Sequence, residues 1–149
     1  GTSDTTFSPN QACTREQAMM FLWKAAGKPQ PTSSYNPFTD VKPDAYYYDA
    51  VLWAVEKNIT SGVSDTKFGT GTPCTRGQIM TFLYKAAGSP SVSGNNPFGD
   101  VRSGDYFYQP VLWAVENDIT AGTSDTTFSP NQACTRGQIV TFLYKHYAQ

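Results

Sequence analysis

"GTSDTTFSPNQACTR" occupies residues 1–15, and the same fifteen residues return at 122–136. An identity of that length signals an internal repeat, and its period decides the fold before any helix is assigned. "SDTTF" from Ser3 recurs as "SDTKF" from Ser64 and "SDTTF" from Ser124, while "CTREQ", "CTRGQ" and "CTRGQ" begin at Cys13, Cys74 and Cys134. "NPFTDV" from Asn36 matches "NPFGDV" from Asn96, and "VLWAVE" from Val51 matches "VLWAVE" from Val111. The step is 61 residues and then 60 (64 − 3 and 124 − 64). The expected organisation is a single domain over 1–149: the second half of one repeat at 1–27, then whole repeats at 36–88 and 96–147.

The middle repeat shows what each unit builds. Pro37 biases Asn36 to extended geometry and opens the unit with a turn. Tyr47, Ala50, Val51, Ala54 and Val55 follow at helical spacing, which predicts an amphipathic helix of about three turns. Asn58 suits a left-handed cap at its end. A loop dense in Gly, Ser, Thr and Asp carries Ile59 and Phe68 as apolar anchors. Thr75 and Gln78 then form a capping box, Ile79, Phe82, Leu83 and Ala86 make a buried stripe, and Gly88 stops the second helix. Thr14 with Gln17, Thr135 with Gln138, and Gly27 repeat these signals. No segment alternates as a strand for long, so the class is all-α.

Net charge −1 and 15% charged residues argue against nucleic acid as a partner. No apolar run approaches the roughly 20 residues that membrane insertion needs. Three cysteines, one per repeat, are no disulfide framework, and they are expected in the core rather than on a metal. His146 lies near the C-terminus with no repeat supplying it a partner. Asp4, Asp65 and Asp125 stand singly where calcium needs several oxygens, and read as turn formers. Tyr46–Tyr48, Trp53 and Trp113 are candidate sugar platforms, although helical spacing favours core. With no nucleophile–base pair, phosphate loop or paired carboxylates, neither an enzyme nor a cofactor is expected.

One choice runs against local preference. Arg15, Arg76 and Arg136 each take the first position of a helix, where the macrodipole disfavours a cation by about 0.3–1 kcal/mol. Two readings are open: each arginine pairs with a nearby Asp of the "SD" loop, or it joins the bare N–H groups of the helix start in holding an anion. Three occurrences of an unfavourable choice favour the anion site.

These motifs resemble the S-layer homology (SLH) family, whose repeat reads F-x-D-V, an aromatic helix, G-I-x-x-G-x-x-D-G-T-F-x-P, and T-R-A-E at the start of a second helix. The matching stretches here are 38–41, 47–55, 59–68 and 75–78, and again 98–101, 106–115, 119–130 and 135–138. The resemblance implies SLH-type helix–loop–helix repeats around a pseudo-threefold axis, with ligand grooves between neighbours. It implies non-covalent anchoring of an exported protein to the cell surface, on a Gram-positive-type wall, through an anionic and often pyruvylated secondary cell-wall polysaccharide. A protein-interaction module on the same frame is the alternative. The family's polymer-binding arginine maps onto Arg15, Arg76 and Arg136, and its loop glycine onto Gly1, Gly62 and Gly122. Gln17, Gln78 and Gln138 stand where the motif has Glu, which keeps the cap but removes a charge.

The repeat frame places Gly1 in mid-unit, so the first repeat is expected to lack its first helix. The vacated seat is expected to be filled by a second copy, as a homodimer, or by an upstream segment, since an empty one would leave an apolar patch.

Overall fold

The computed structural model describes residues 10–147, and every structural statement concerns these. Their helices are α1 (Arg15–Ala25), α2 (Tyr48–Glu56), α3 (Arg76–Ala86), α4 (Tyr108–Glu116) and α5 (Arg136–Tyr147). Between them lie loops with isolated bridges and no strand among the described residues. None of these helices is long and apolar enough to cross a membrane.

The local signals act as expected. Thr14 and Thr75 accept from the N–H groups of Gln17 and Gln78, whose side chains accept in return from the capping residue's N–H. Thr135 and Gln138 make the same exchange ahead of α5. Asn58 and Asp118 take positive φ (60° and 59°) just past α2 and α4. The next residues, Ile59 and Ile119, donate back to Ala54 and Ala114, which closes each helix in a Schellman motif. Pro110 falls in the first turn of α4, where a missing N–H costs nothing.

Closure of the repeats depends on the segment before each arginine. Cys13 N–H donates to Cys134 C=O (2.9 Å), Cys134 N–H to Cys74 C=O (2.8 Å), and Cys74 N–H to Cys13 C=O (2.7 Å). These three bonds form a ring about the pseudo-threefold axis. A second set surrounds it: the N–H groups of Arg15, Arg76 and Arg136 donate to the carbonyls of Thr72, Gln132 and Gln11. The three thiols are free and fully buried. Burial pushes Cys13 up to about 11 and Cys134 up to about 12, and raises Cys74 as well. Neutral thiols therefore act here as small core side chains. His146 does meet a neighbour, within its own repeat: its ring lies edge-on to Trp113 at 5.4 Å.

The internal symmetry breaks at α5. Helix α1 packs against α2, and α3 against α4, while α5 packs on α1. Trp23, Tyr84 and Tyr144 hold one repeat position. Trp23 is 8% exposed, and Tyr84 lies edge-on to Trp113 (5.8 Å) with its hydroxyl donating to Pro90 C=O, but Tyr144 is 71% exposed. Tyr84→Ala is therefore expected to cost about 2 kcal/mol, from a ring contact and a hydrogen bond. Tyr144→Ala should stay within about 0.5 kcal/mol of the parent. Urea unfolding of both variants checks this, and equal losses would refute it.

Candidate functional site

Asp40 is the residue on which the site's geometry turns, although its place in the sequence does not announce it. Its carboxylate accepts from the N–H groups of Phe68, Gly69 and Thr70 at 2.9–3.0 Å. Burial raises its pKa, but these backbone donors outweigh burial and hold it below the ordinary value. Asp100 accepts in the same way from Phe128 and Ser129. Each clamp bends the loop after its phenylalanine so that the Phe68 or Phe128 carbonyl faces the preceding repeat. There the carbonyl meets an arginine: Arg15 Nε donates to Phe68 C=O and Arg76 Nε to Phe128 C=O, both at 2.8 Å.

The arginines cross from one repeat to the next. The Arg15 guanidinium lies over the rings of Phe68 (5.0 Å) and Phe82 (5.2 Å), and that of Arg76 over Phe128 (4.7 Å) and Phe142 (5.6 Å). Arg136 lies over Phe21 at 5.1 Å. All three are 3–4% exposed. Burial lowers the pKa of Arg15 and Arg76 below the ordinary guanidinium value, and an arginine stays charged at neutral pH. Among the described residues, Arg15 and Arg76 have no ion-pair partner, and their one side-chain hydrogen bond uses Nε. No fully buried side-chain nitrogen lacks a partner, so their Nη groups are the parts that reach open space.

That space consists of grooves between repeats. Arg15 floors one of about 390 Å³, walled by Ile59–Val63 and Phe82, with Lys85 and Tyr106 at its sides. Arg76 floors one of about 580 Å³, with Ile119–Gly122, Phe142 and Lys145. Arg136 floors a third of about 180 Å³, with Phe21, Lys24 and Tyr46. The first two fall in the size range of small-ligand sites. No carboxylate lines any of the three among the described residues. Each groove thus joins a buried guanidinium from one repeat to a lysine from the next.

Five of the six expected site residues therefore divide among three places. Arg15 shares a groove with Gly62, and Arg76 shares one with Gly122. Gly1 lies outside the described residues, so Arg136 is placed without its glycine. Two expectations need correction. Asp65 and Asp125 of the "SD" loops do not pair with Arg15 and Arg76, since both aspartates are exposed and the loop contact is a carbonyl, while Asp4 lies outside the described residues. Nor are the N–H groups at the start of α3 bare. At α3 the N–H groups of Arg76, Gly77 and Gln78 are taken by Gln132 C=O, Pro130 C=O and Thr75 Oγ1. In the Arg15 and Arg76 grooves the positive group that opens to the ligand space is the guanidinium.

The aromatic residues also separate. Trp53, Trp113 and Tyr47 are buried, whereas Tyr46 (64% exposed) and Tyr106 (62%) stand at the grooves. The lysines went unnoticed in the sequence, although Lys24, Lys85 and Lys145 recur at the repeat spacing. That recurrence was the available signal.

The chain is 32% identical over 133 residues to a cell surface protein of Thermoanaerobacter kivui, covering 86% of this chain and 17% of that protein. It is 29% identical over 140 residues to the surface-layer 125 kDa protein of Lysinibacillus sphaericus, covering 91% and 12%. An endoglucanase of a Bacillus species is 28% identical over 111 residues, covering 74% and 12%. The chain spans less than a fifth of the length of each of these relatives. A family model described as the S-layer homology domain matches residues 1–19, 37–80 and 97–140. Those three segments take in most of the chain, and the arginine-bearing helix starts recur in each of them, so the chain belongs to the S-layer homology domain family.

Proposed function

We propose that this chain is a non-covalent anchoring module that holds a larger exported protein to a Gram-positive-type cell wall by binding an anionic secondary polysaccharide. One observation carries the reading: Arg15 and Arg76 are buried cations whose Nη groups open into carboxylate-free grooves, each with a lysine beside it. A desolvated, pre-aligned guanidinium binds a carboxylate far better than a solvated one does, and Lys85 or Lys145 adds a second charge. The repeated grooves suit a polymer, because linked weak sites bind one chain with added avidity.

A pull-down with cell-wall sacculi of Thermoanaerobacter kivui and Lysinibacillus sphaericus, before and after chemical removal of the secondary polysaccharide, tests this reading. Binding is expected to intact sacculi and to disappear from stripped ones. Retention on stripped sacculi would favour the protein-interaction alternative and overturn this one.

A further inference from the structure

The two loops that hold Arg15 and Arg76 share a frame and are secured unequally. The Asn36 and Asn96 side chains staple the frame. Each accepts from the N–H two residues on (Phe38, 3.0 Å; Phe98, 2.9 Å) and donates to the carbonyl five residues on (Val41, 2.8 Å; Val101, 2.6 Å). Each staple presents one carboxylate, Asp40 or Asp100, to the backbone at and after a buried phenylalanine. The residue after that phenylalanine is left-handed in both loops, Gly69 at φ +96° and Ser129 at φ +61°. Glycine takes this conformation freely, whereas serine takes it against its own Cβ.

The securing bonds differ in the opposite sense to the strain. Asp40 accepts from three N–H groups, those of Phe68, Gly69 and Thr70. Its loop has two further ties: Thr70 Oγ1 donates to Asp40 C=O (3.0 Å), and Gly71 N–H to the Glu16 carboxylate (3.0 Å). Asp100 accepts from two, because Pro130 stands where Thr70 does and brings neither an N–H nor a hydroxyl. Gly77 stands where Glu16 does and offers only its own N–H, to Pro130 C=O (2.8 Å). Ser129 Oγ meets Thr123 Oγ1 at 2.7 Å, an exposed contact that water can replace. The strained loop therefore has the weaker hold.

We propose that Asp40 and Asp100 are positioning residues of the two grooves, and that Asp100 is what keeps Ser129 left-handed, the Phe128 carbonyl turned inward and the Arg76 guanidinium aimed. This rests on the anion-groove reading above. Neither carboxylate lines a groove; each acts through a loop carbonyl on an arginine Nε. When Asp100 loosens, Ser129 relaxes to negative φ, the carbonyl swings away, and Arg76 loses the anchor that fixes its Nη groups. Loosening Asp40 leaves an unstrained glycine and two independent ties, so Arg15 stays in place. A binding group held loosely loses affinity although it is still present.

Asparagine tests this, because it keeps the shape and loses one accepting oxygen. Asp40→Asn can turn its amide oxygen to keep Gly69 and Thr70, while Asp100→Asn keeps one of its two donors. Two readouts are taken on the whole chain. One is titration against sacculi carrying the secondary polysaccharide, from the two organisms named above. The other is NMR hydrogen exchange of the arginine Nε–H groups, which needs no ligand. Asp100→Asn is expected to weaken binding about tenfold, and Asp40→Asn less than about threefold. In Asp100→Asn the Arg76 Nε–H should exchange at least about tenfold faster while that of Arg15 is unchanged, which also shows that the variant is folded. Adding Ser129→Gly to Asp100→Asn should return both readouts to within about threefold of the parent, since glycine holds the turn without the clamp. The proposal is overturned if Arg76 Nε–H stays protected in Asp100→Asn, or if Ser129→Gly fails to rescue. Faster exchange at both arginines would make Asp100 a residue of the general fold, and unchanged binding with a freed Arg76 would show that its aim does not matter; either result also overturns it. If the exchange results are as expected and the parent chain ignores intact sacculi, the aiming stands and the anion-groove reading falls.

Discussion

Arg15→Met is expected to destabilise the fold by about 4 kcal/mol, a large share of the 5–15 kcal/mol that a domain of this size has in hand. Methionine keeps most of the stem volume, so the loss isolates the guanidinium. Two contributions make it up. The Nε bond to Phe68 C=O is charge-assisted and worth about 1.5–3 kcal/mol, and its loss strands a carbonyl that the Asp40 clamp has aimed inward. The contacts with Phe68 and Phe82, at 5.0 and 5.2 Å in a nearly closed setting, add about 1–2 kcal/mol. Arg15→Lys keeps a charge but cannot hold the Phe68 carbonyl and reach the groove at once, so its loss should be about half as large. Chemical denaturation of the three proteins at pH 7 gives the answer. A loss below about 1 kcal/mol for Arg15→Met would mean that the arginine is kept for a ligand alone. The expected result assigns it two tasks, with Nε holding the loop of the next repeat and Nη facing the groove.

That double role explains what the sequence made legible and what it did not. Helices, capping boxes and left-handed stops depend on residues within four or five positions, and Thr75, Gln78, Asn58 and Gly88 announce them by type. The oddity of Arg76 at a helix start was also visible, because the macrodipole preference it violates is local. What satisfies it is not local: the Phe128 carbonyl lies 52 residues on and is aimed by Asp100, whose recurrence in the repeated NPFGDV stretch does not say what it holds. The same limit misled the account of the helix start. Its N–H groups look bare from within one repeat, and they are taken by Gln132 and Pro130 of the next. Tyr46 and Tyr47 show the limit at its sharpest. Helical spacing assigns Tyr47 to the buried face of α2, and the structure buries it. Nothing within one repeat says that its neighbour Tyr46 borders a groove floored by another repeat.

Gly62→Ala is the second large effect, expected at about 3–4 kcal/mol, while Gly71→Ala should cost about 1 kcal/mol. The pair shares a backbone conformation, with φ of +85° and +86°, so both carry the same left-handed penalty for an L side chain. Their surroundings differ. A Cβ on Gly71 meets nothing within 4 Å, whereas one on Gly62 would sit 2.4 Å from Lys67 C=O and 2.5 Å from Phe38 Cε1. Neither neighbour can yield cheaply. Lys67 C=O is fixed by the N–H groups of Val63 and Ser64, and Phe38 is 4% exposed and packed at 5.8 Å on Phe68. The difference between the two variants, about 2–3 kcal/mol, is therefore the cost of forcing the loop away from Phe38. Since Phe68 also carries the carbonyl that holds Arg15, the displaced wall and the groove floor belong to one packed unit. Gly62→Ala should then weaken wall binding even under conditions where the variant is still folded. Gly122→Ala, with Phe98 Cε1 at 2.5 Å and Thr127 C=O at 2.7 Å, should reproduce the stability loss in the Arg76 groove. Equal, small losses at Gly62 and Gly71 would show that the loop relaxes freely, and that the glycine is kept for its φ and not for the approach of the ring.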